Sequence, residues 1–349
     1  MTEAGATHIP PVPWLAAQPL AEVLAALNGN GEEARVVGGA VRNALLGEPP
    51  GDIDLATTAT PEEVTRRAHA AGFKAVPTGF EHGTVTIVAH GHPFEVTTLR
   101  EDVETFGRKA RVAFGRDWRA DAERRDFTMN ALSLSPDGTV HDYVGGLSDL
   151  DARRVRFIGD PAKRIAEDYL RILRFFRFHA LYGGGDSDRE GLHACIAGRE
   201  GLRGLSRERV RMELFKLLVA PLAAPTLTSM SDAGLLQLVL GGVAQLASVD
   251  AMVRIESATG GGPDAVRRLG ALAVQIEEDA DRLGERLRLS NVEHRRLRVM
   301  AEGWRRLSPA TSEQERRACL YRLGAESFAD RVLLAWARAG TGGDDAGWQ

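Results

Sequence analysis

The sequence changes character near residue 150, and this change limits the possible folds more than any other feature. Residues 35 to 150 contain short runs rich in β-branched residues that alternate with turns, and two helices are predicted near 40–46 and 61–71. From about residue 161 onward, Leu, Ala and Arg recur at helical spacing and strand signals disappear. The pattern predicts an α+β protein in which a small mixed β-sheet domain precedes an all-helical part. The predicted strands are ARVVGG, TVTIVAH, PFEVTTLR, FTMNALSL and TVHDYV.

Local signals also predict where some helices begin and where order ends. Pro161 suits the first turn of a helix, because its missing N–H would have no intrahelical partner there. Ser206 suits the N-cap of another helix, since its hydroxyl can accept a backbone hydrogen bond. The final residues GTGGDDAGWQ have the composition of a disordered tail.

The charge balance argues against a protein whose function is to bind nucleic acid without regard to its sequence. Charged residues make up 26% of the chain and the formal net charge is −4, whereas such binders are normally basic. A polyanion would therefore have to meet local patches, and two stretches, 153–177 and 282–306, are rich in arginine. Such stretches are more often solvated helix faces than binding surfaces, and both interpretations stay open.

Cysteine usage and hydropathy predict a soluble, cytoplasmic protein. Cys195 and Cys319 have no second thiol or histidine at metal-ligand spacing, which indicates buried thiols in a reducing compartment. The N-terminus lacks a basic start followed by an apolar run, so no secretory signal is predicted. The most apolar later segment, residues 233–247, is too short to span a membrane.

The stretch VVGGAVRNALLG at 36–47 is the first that indicates a chemistry. A strand that runs into Gly38 and Gly39 and then a helix allows backbone amides to approach a phosphate closely. Arg42, one helical turn later, can add a charge-assisted hydrogen bond to the same group. Two glycines alone are a weak signal, because many strand-to-helix turns need one for their geometry.

The sequence GDIDL at 51–55 strengthens that signal. In a strand, Asp52 and Asp54 point to the same side, and converging carboxylates are unfavourable unless a cation neutralises them. Glu95 supplies a third acid from a later predicted strand. Mg²⁺ prefers such oxygen ligands, and the layout is typical of two-metal nucleotidyl transfer. Taken singly, Glu95 could be a sheet-surface acid and Asp52 a turn residue.

Polar residues also cluster in AERRDFTMNAL at 122–132. Arg125, Asp126 and Asn130 stand at the start of an otherwise apolar segment. A carboxylate and an amide beside a nucleotide can hydrogen-bond ribose hydroxyls. The alternative is a capped helix with surface arginines.

The stretch EDYLRILRFFRF at 167–178 combines an apolar face with regularly spaced charges. As one helix, it places Asp168 and Arg171 one turn apart on a shared face. An acceptor beside a donor matches the Watson–Crick edges of cytosine and adenine, whereas uracil and guanine present the reverse pattern and leave buried groups unpaired. A solvated salt bridge is the usual alternative for such charges.

Together these motifs resemble those of class II tRNA nucleotidyltransferases, the CCA-adding enzymes of the polymerase β-like superfamily, which also includes bacterial poly(A) polymerases. The resemblance runs from about residue 35 to 220 and is loose beyond residue 230, where LRLSNVEHRRL is similar to the family's RNA-binding end. The motifs that carry it, in order, are VVGGAVRNALLG, GDIDLATTATP, FEVTTLRED, ERRDFTMNAL, DYVGGLSDL, RVRFIGDPAKRIAEDYLRILRFFRF and GLSRERVRMELFKLL.

The resemblance implies a nucleotidyltransferase head over residues 1–150, a base-reading helical neck over 151–225 and a tRNA-binding body and tail over 226–340. It implies CTP and ATP as substrates and tRNA as the partner. Hydropathy predicts no membrane contact, and the sequence leaves the oligomeric state undecided. The implied roles are triphosphate binding by Gly38, Gly39 and Arg42; binding of catalytic Mg²⁺ by Asp52, Asp54 and Glu95; sugar and phosphate contacts by Arg125, Asp126 and Asn130; and base reading by Asp168, Arg171 and Arg174.

The sequence departs from the family pattern at three places. Asn43 replaces the acid that usually follows the arginine of the glycine motif, and Phe106, Gly107 and Arg108 stand where relatives usually have Asp-Gly-Arg. The dipeptide His141-Asp142 lacks partner histidines, so it is assigned to the DYVGG motif and not to a phosphohydrolase centre. A CC-adding or poly(A)-adding relative, and a non-catalytic RNA-binding scaffold, remain the alternatives.

Overall fold

In a computed structural model the chain forms two compact units, Met1–Asp168 and Tyr169–Gln349. The residues that the structure describes are 6–10, 12–79, 81, 83–106 and 109–348. The predicted α+β class is confirmed, because the strands lie in the first unit and the described part of the second unit contains helices only. The predicted three-part division at residues 150 and 225 stays a prediction.

The first unit is built on a mixed sheet with the strand order β1-β10-β9-β2-β3-β6-β5-β4. Strands β3 and β6 are parallel, while the other neighbours are antiparallel. Strands β7 and β8 form a separate antiparallel pair. The strands are β1 Ala6–His8, β2 Ala34–Val37, β3 Asp54–Thr57, β4 Lys74–Gly79, β5 Thr84–Ala89, β6 His92–Thr98, β7 Arg100–Phe106, β8 Lys109–Phe114, β9 Ser133–Leu134 and β10 Thr139–His141.

Helices connect these strands, and the two predicted ones are present. Thr60 caps the second of them, because its hydroxyl accepts from the Glu63 N–H while Pro61 occupies the first turn. Pro161 opens a later helix as predicted, with Asp160 as the cap. The α-helices of this unit are α1 Gln18–Leu27, α2 Gly39–Leu45, α3 Pro61–Ala70, α4 Trp118–Glu123, α5 Gly146–Asp151 and α6 Pro161–Glu167.

The predicted strand FTMNALSL is mostly wrong. Thr128–Asn130 forms a 3₁₀ turn, and only Ser133–Leu134 pairs as a strand. The reason is tertiary packing: a Cβ on Gly146 would lie 2.3 Å from the Thr128 carbonyl oxygen, so the start of α5 rests directly on this turn. The Thr128 hydroxyl also donates to the buried Asp149 carboxylate at 2.7 Å.

The second unit is a helical assembly in which α7 packs against α9 and α10, and α12 packs against α13 and α17. Ser206 precedes α9 as predicted, but its side chain makes no capping hydrogen bond. The helices are α7 Leu170–Tyr182, α8 Arg189–Ala197, α9 Arg207–Leu218, α10 Ala223–Asp232, α11 Leu235–Leu240, α12 Leu246–Thr259, α13 Ala265–Ala273, α14 Glu277–Leu287, α15 Asn291–Ala301, α16 Glu313–Leu323 and α17 Ala325–Ala339.

The predicted disordered tail is wrong as far as residue 348. The Trp348 ring stacks on the Trp336 ring with their centroids 6.3 Å apart, and the Trp336 indole N–H donates to the Gly342 carbonyl at 3.0 Å. Trp336 is 1% exposed, so the tail covers an aromatic residue of α17. The contact between the two aromatic rings stabilises this segment, although the residues around Trp348 have a composition typical of flexible chain.

Both cysteines are free and buried, as predicted. Burial raises the pKa of the Cys195 thiol, which favours the neutral form. Among the described residues, none of the helices has the length and apolar character needed to span a bilayer.

Candidate active site

The glycine turn between β2 and α2 lies directly beneath two guanidinium groups. Gly38 has φ +71°, and a Cβ there would lie 3.3 Å from Nη1 of Arg125. A Cβ on Gly39 would lie 3.6 Å from Nη2 of Arg42. The Gly38 N–H donates to the Leu132 carbonyl at 3.1 Å, so this amide is already used within the protein. The turn therefore permits close approach at Gly38 rather than supplying a donor there.

Arg42 is 6% exposed and is held by two amide side chains. Its Nη1 donates to Oδ1 of Asn130 at 2.6 Å, and its Nε and Nη2 donate to Oδ1 of Asn43 at 3.2 and 2.9 Å. The Asn43 amide nitrogen donates in turn to the Pro49 carbonyl at 2.8 Å. Asn43 therefore keeps an acceptor at the position where relatives carry an acid.

Arg125, Asp126 and Asn130 lie in the same network. Nη1 of Arg125 donates to the Asn130 carbonyl at 3.4 Å, and Nδ2 of Asn130 donates to Oδ1 of Asp126 at 3.4 Å. The Asn130 side chain thus links Arg42 to Asp126. The structure brings together six predicted residues here: Gly38, Gly39, Arg42, Arg125, Asp126 and Asn130.

Asp121 belongs to this network but was not predicted from the sequence. It is 3% exposed, and its carboxylate accepts from Arg125 at 3.2 Å and from Nε of Arg124 at 2.8 Å. It therefore neutralises and orients the two arginines next to the glycine turn. The spacing in the sequence could have indicated this contact. Asp121 on α4 precedes Arg124 and Arg125 by three and four residues, a separation at which side chains can meet.

The three predicted acids meet at the edge of the β3–β6 pair. Asp54 is the first residue of β3 and is the register partner of Glu95 in β6. Asp52 lies in the bend before β3, so the expectation that both aspartates belong to the strand is wrong for Asp52. All three residues are accessible to solvent on one side and line one cavity of about 920 Å³.

The electrostatics of Asp54 reflect this convergence of acids. Partial burial of the carboxyl raises its pKa, the Glu95 and Asp52 carboxylates raise it further, and Arg125 opposes the shift. A cation at this edge would relieve the repulsion. Among the described residues, however, no three acidic, histidine or cysteine side chains are placed so that together they could hold a metal ion. These acids could therefore supply only part of the ligand shell of a cation, and water and phosphate would have to supply the rest.

The predicted single helix over 167–178 is wrong. Helix α6 ends at Glu167, Asp168 is extended with φ −155° and ψ 106°, and α7 begins at Leu170. Asp168 and Arg171 therefore do not share a helix face. Aspartate is a poor residue for a helix interior and is favourable just before a helix start, where the backbone N–H groups lack partners.

Arg171 and Arg174 lie half-buried on α7. Nη1 of Arg174 lies 3.9 Å from a carboxylate oxygen of Glu213 on α9, and Nε of Arg177 lies 2.6 Å from the other oxygen. Glu213 is 7% exposed, so this carboxylate is an internal counter-charge for the arginine row.

Many arginines of the two basic stretches are bound within the protein. Arg154 and Arg156 each contact the buried Asp149 at 2.8 Å. Arg296 contacts Asp264 and Asp330, and Arg298 contacts Glu277 at 2.7 Å. For these arginines, ion pairs within each unit account for the basic composition.

The two other departures from the family pattern are the His141-Asp142 dipeptide and the segment at 106–108. The Asp142 carboxylate accepts from the backbone N–H groups of residues 144 to 147, and His141 hydrogen-bonds Ser135 at 2.8 Å. These contacts agree with the assignment of the dipeptide to the DYVGG motif. Gly107 and Arg108 lie outside the described residues.

The parallel β3–β6 pair carrying Asp54 and Glu95, beside a glycine turn and an arginine network, defines a nucleotidyltransferase head. Residues 34–156 match the family model described as Poly A polymerase head domain. Residues 189–246 match the one described as Probable RNA and SrmB- binding site of polymerase A.

Relatives that match almost the whole chain show to which family of nucleotidyltransferases it belongs. The CCA-adding enzyme of Limosilactobacillus fermentum is 32% identical over 324 residues, which cover 91% of this chain and 78% of that protein. The crystal structure of the Bacillus stearothermophilus CCA-adding enzyme in complex with CTP superimposes with a TM-score of 0.74 at 30% identity, covering 93% of this chain and 79% of that one. The chain therefore belongs to the family of CCA-adding tRNA nucleotidyltransferases.

The mitochondrial CCA tRNA nucleotidyltransferase 1 of Danio rerio is 43% identical over 265 residues, which cover 75% of this chain. The matched region spans only 61% of that relative's length.

Proposed function

We propose that the protein adds CCA to the 3′ end of tRNA from CTP and ATP without a nucleic-acid template. The observation that carries this proposal is the pairing of Asp54 with Glu95 on adjacent parallel strands, next to the glycine turn. A protein that only binds RNA has no need for converging acids beside a cradle of arginines. The relatives named as CCA-adding enzymes support the same reaction.

In each cycle the 3′-hydroxyl of the tRNA attacks the α-phosphorus of the nucleotide. A new O–P bond forms, the bond to the β-phosphate oxygen breaks, and pyrophosphate leaves. Gly38 and Gly39 let the triphosphate approach the backbone, while Arg42 and Arg125 neutralise its charge. Asp126 and Asn130 contact the sugar.

Asp52, Asp54 and Glu95 would hold the divalent metal, with Mg²⁺ as the expected ion. When bound, the metal polarises the attacking hydroxyl and stabilises the pyrophosphate charge. The raised pKa of Asp54 supports this assignment, because a cation would offset the repulsion that raises it.

Asp168, Arg171 and Arg174 read the base. Asp168 accepts a hydrogen bond from the exocyclic amino group, and Arg171 donates to an unprotonated ring nitrogen, so cytosine and adenine fit while uracil and guanine leave groups unpaired. Arg174, beside Glu213, adds a further donor on the same helix. These hydrogen bonds to the base do not require Asp168 to be in a helix.

The direct test is nucleotide incorporation into tRNA that lacks its 3′ end. We expect two C residues and then one A, and no incorporation from UTP or GTP. A product that stops after two residues would indicate a CC-adding relative, and a long A tract would indicate a poly(A)-adding one.

The double variant Asp52→Ala/Asp54→Ala should abolish turnover while leaving tRNA binding nearly intact. The matched control is Glu62→Ala, which removes an exposed acid of α3 that lies outside the motifs. Loss of tRNA binding in the double variant, with no turnover by the unmodified protein, would favour the non-catalytic scaffold instead. A cytoplasmic location stays a prediction, since the zebrafish relative is named as mitochondrial.

A further inference from the structure

A cavity beside the three acids contains residues to which no role has been assigned. Its volume of about 920 Å³ lies within the range of about 300–1,000 Å³ that is typical of small-molecule sites. Asp52, Asp54 and Glu95 form one part of its lining. Much of the rest is apolar or aromatic: Trp14, Pro19, Leu20, Ile53, Pro93 and Phe94.

The sheet order places this cavity away from the glycine turn. Strand β2, which leads into the turn, is the neighbour of β3 on one side, while β6 and then β5 follow on the other side. The cavity takes Asp54 from β3, Glu95 from β6 and Thr86 from β5. Its strand-borne lining therefore lies on the side of Asp54 that faces away from β2.

In-line phosphoryl transfer requires the attacking and leaving oxygens on opposite faces of the phosphorus. If the triphosphate lies over the glycine turn, the attacking hydroxyl must enter from the β6 side. The cavity lies on that side, and Glu95 lies in its wall.

We propose that this cavity binds the terminal nucleoside of the RNA acceptor, with the Trp14 ring as a stacking surface for its base. This proposal rests on the proposed function and names the place of its second substrate. The terminal base changes as the tail grows, so its site has to tolerate different bases. An aromatic wall meets that demand, because every base has a π-face and stacking is tolerant of sequence.

Trp14 is suited to this role because the chain around it is fixed while its own side chain stays half-exposed. The Leu15 N–H donates to the Val12 carbonyl at 3.0 Å, and the Ala17 N–H donates to the Trp14 carbonyl at 3.3 Å. Leu15 and Leu20, which flank the turn, are 8% and 2% exposed. The ring is thus presented from an anchored turn.

The test is steady-state kinetics of Trp14→Ala with three acceptor tRNAs, which carry none, one or two of the C residues of the CCA end. We expect the KM for tRNA to rise about 10-fold with each acceptor, the magnitude of one lost base–aromatic stack. The KM for CTP should change less than about 2-fold, on the same scale of free energies. Trp14→Phe should restore most of the loss, and His92→Ala, at an exposed lining residue, should give a smaller rise.

The matched control is Phe73→Ala, which removes a half-buried aromatic of the same unit outside the cavity lining. It should leave both KM values unchanged. A Trp14→Ala variant that raises the KM for CTP alone, or neither KM, overturns the proposal. If Trp14→Ala does not fold, an unchanged KM for tRNA in His92→Ala overturns it as well.

A second readout separates this proposal from the proposed reaction. Acceptor RNA carrying 2-aminopurine as its last base should lose fluorescence on binding to Asp52→Ala/Asp54→Ala, because the base stacks without turnover. Adding Trp14→Ala should restore the fluorescence. Quenching that depends on Trp14 supports the cavity even if no nucleotide is incorporated, whereas incorporation without such quenching refutes the cavity alone.

Discussion

Asp330 on α17 provides the sharpest test of whether the basic stretch at 282–306 serves the fold or a polyanion. Its carboxylate is 0% exposed and accepts from Nε of Arg267 at 2.9 Å and from Nε and Nη2 of Arg296 at 2.5 and 3.0 Å. Asp330→Asn removes the negative charge with little change in volume. It leaves two largely buried guanidinium groups without their shared counter-ion.

The magnitude follows from the partners that remain. Breaking a buried ion pair by removing one member costs about 3–5 kcal/mol. Arg267 keeps Glu256 at 3.1 Å and Arg296 keeps Asp264 at 2.9 Å, so the lower end, about 3 kcal/mol, is expected. For a unit of this size each kcal/mol lowers the Tm by about 2–4 °C, which gives a fall of about 6–12 °C.

Thermal and urea unfolding followed by circular dichroism would measure this loss, together with tRNA binding by filter retention. The matched control is Asp250→Asn, which removes an exposed partner of Arg254 on α12 and should cost less than about 1 kcal/mol. A Tm within about 2 °C of the unmodified protein, with tighter tRNA binding, would refute the reasoning and assign Arg296 to the polyanion.

Three further outcomes are expected. Because the folded-state pKa of Asp54 is raised, its ionised form is disfavoured in the fold, and stability falls as pH rises through that pKa. Asp54→Asn should therefore raise the Tm at pH 7 and lose this advantage below about pH 4; an unchanged difference across that range would contradict the cause given. Asn130→Ala removes the 2.6 Å hydrogen bond to Arg42 and should raise the KM for CTP and ATP alike by about 10-fold, whereas an effect on one nucleotide only would point to base reading. Asp168→Ala should relax the preference for CTP over UTP with little effect on pyrophosphate release, and an unchanged preference in a competition assay would remove Asp168 from the base-reading set.

Local signals in the sequence were sufficient for several elements and for much of the candidate site. Thr60, Pro61 and Glu63 encode the start of α3 within four consecutive positions, and the structure has that cap. The run VVGG encodes a strand followed by a tight turn, and Gly38 adopts the positive φ that such a turn needs. The types of residue in the glycine, aspartate and arginine motifs were enough to predict the family to which the chain belongs.

Only the tertiary structure decided which partner each group would meet. Glu95 becomes a neighbour of Asp54 because β3 and β6 pair in parallel, although the two residues are far apart in the chain. The turn at Thr128 replaces a predicted strand because α5 packs on it, and Trp348 is ordered because Trp336 lies beneath it. Arg296 forms an ion pair with Asp330 from another helix. Capping and periodicity depend on residues within one or two turns, whereas packing, ion pairing and strand order depend on residues that only the folded chain brings together.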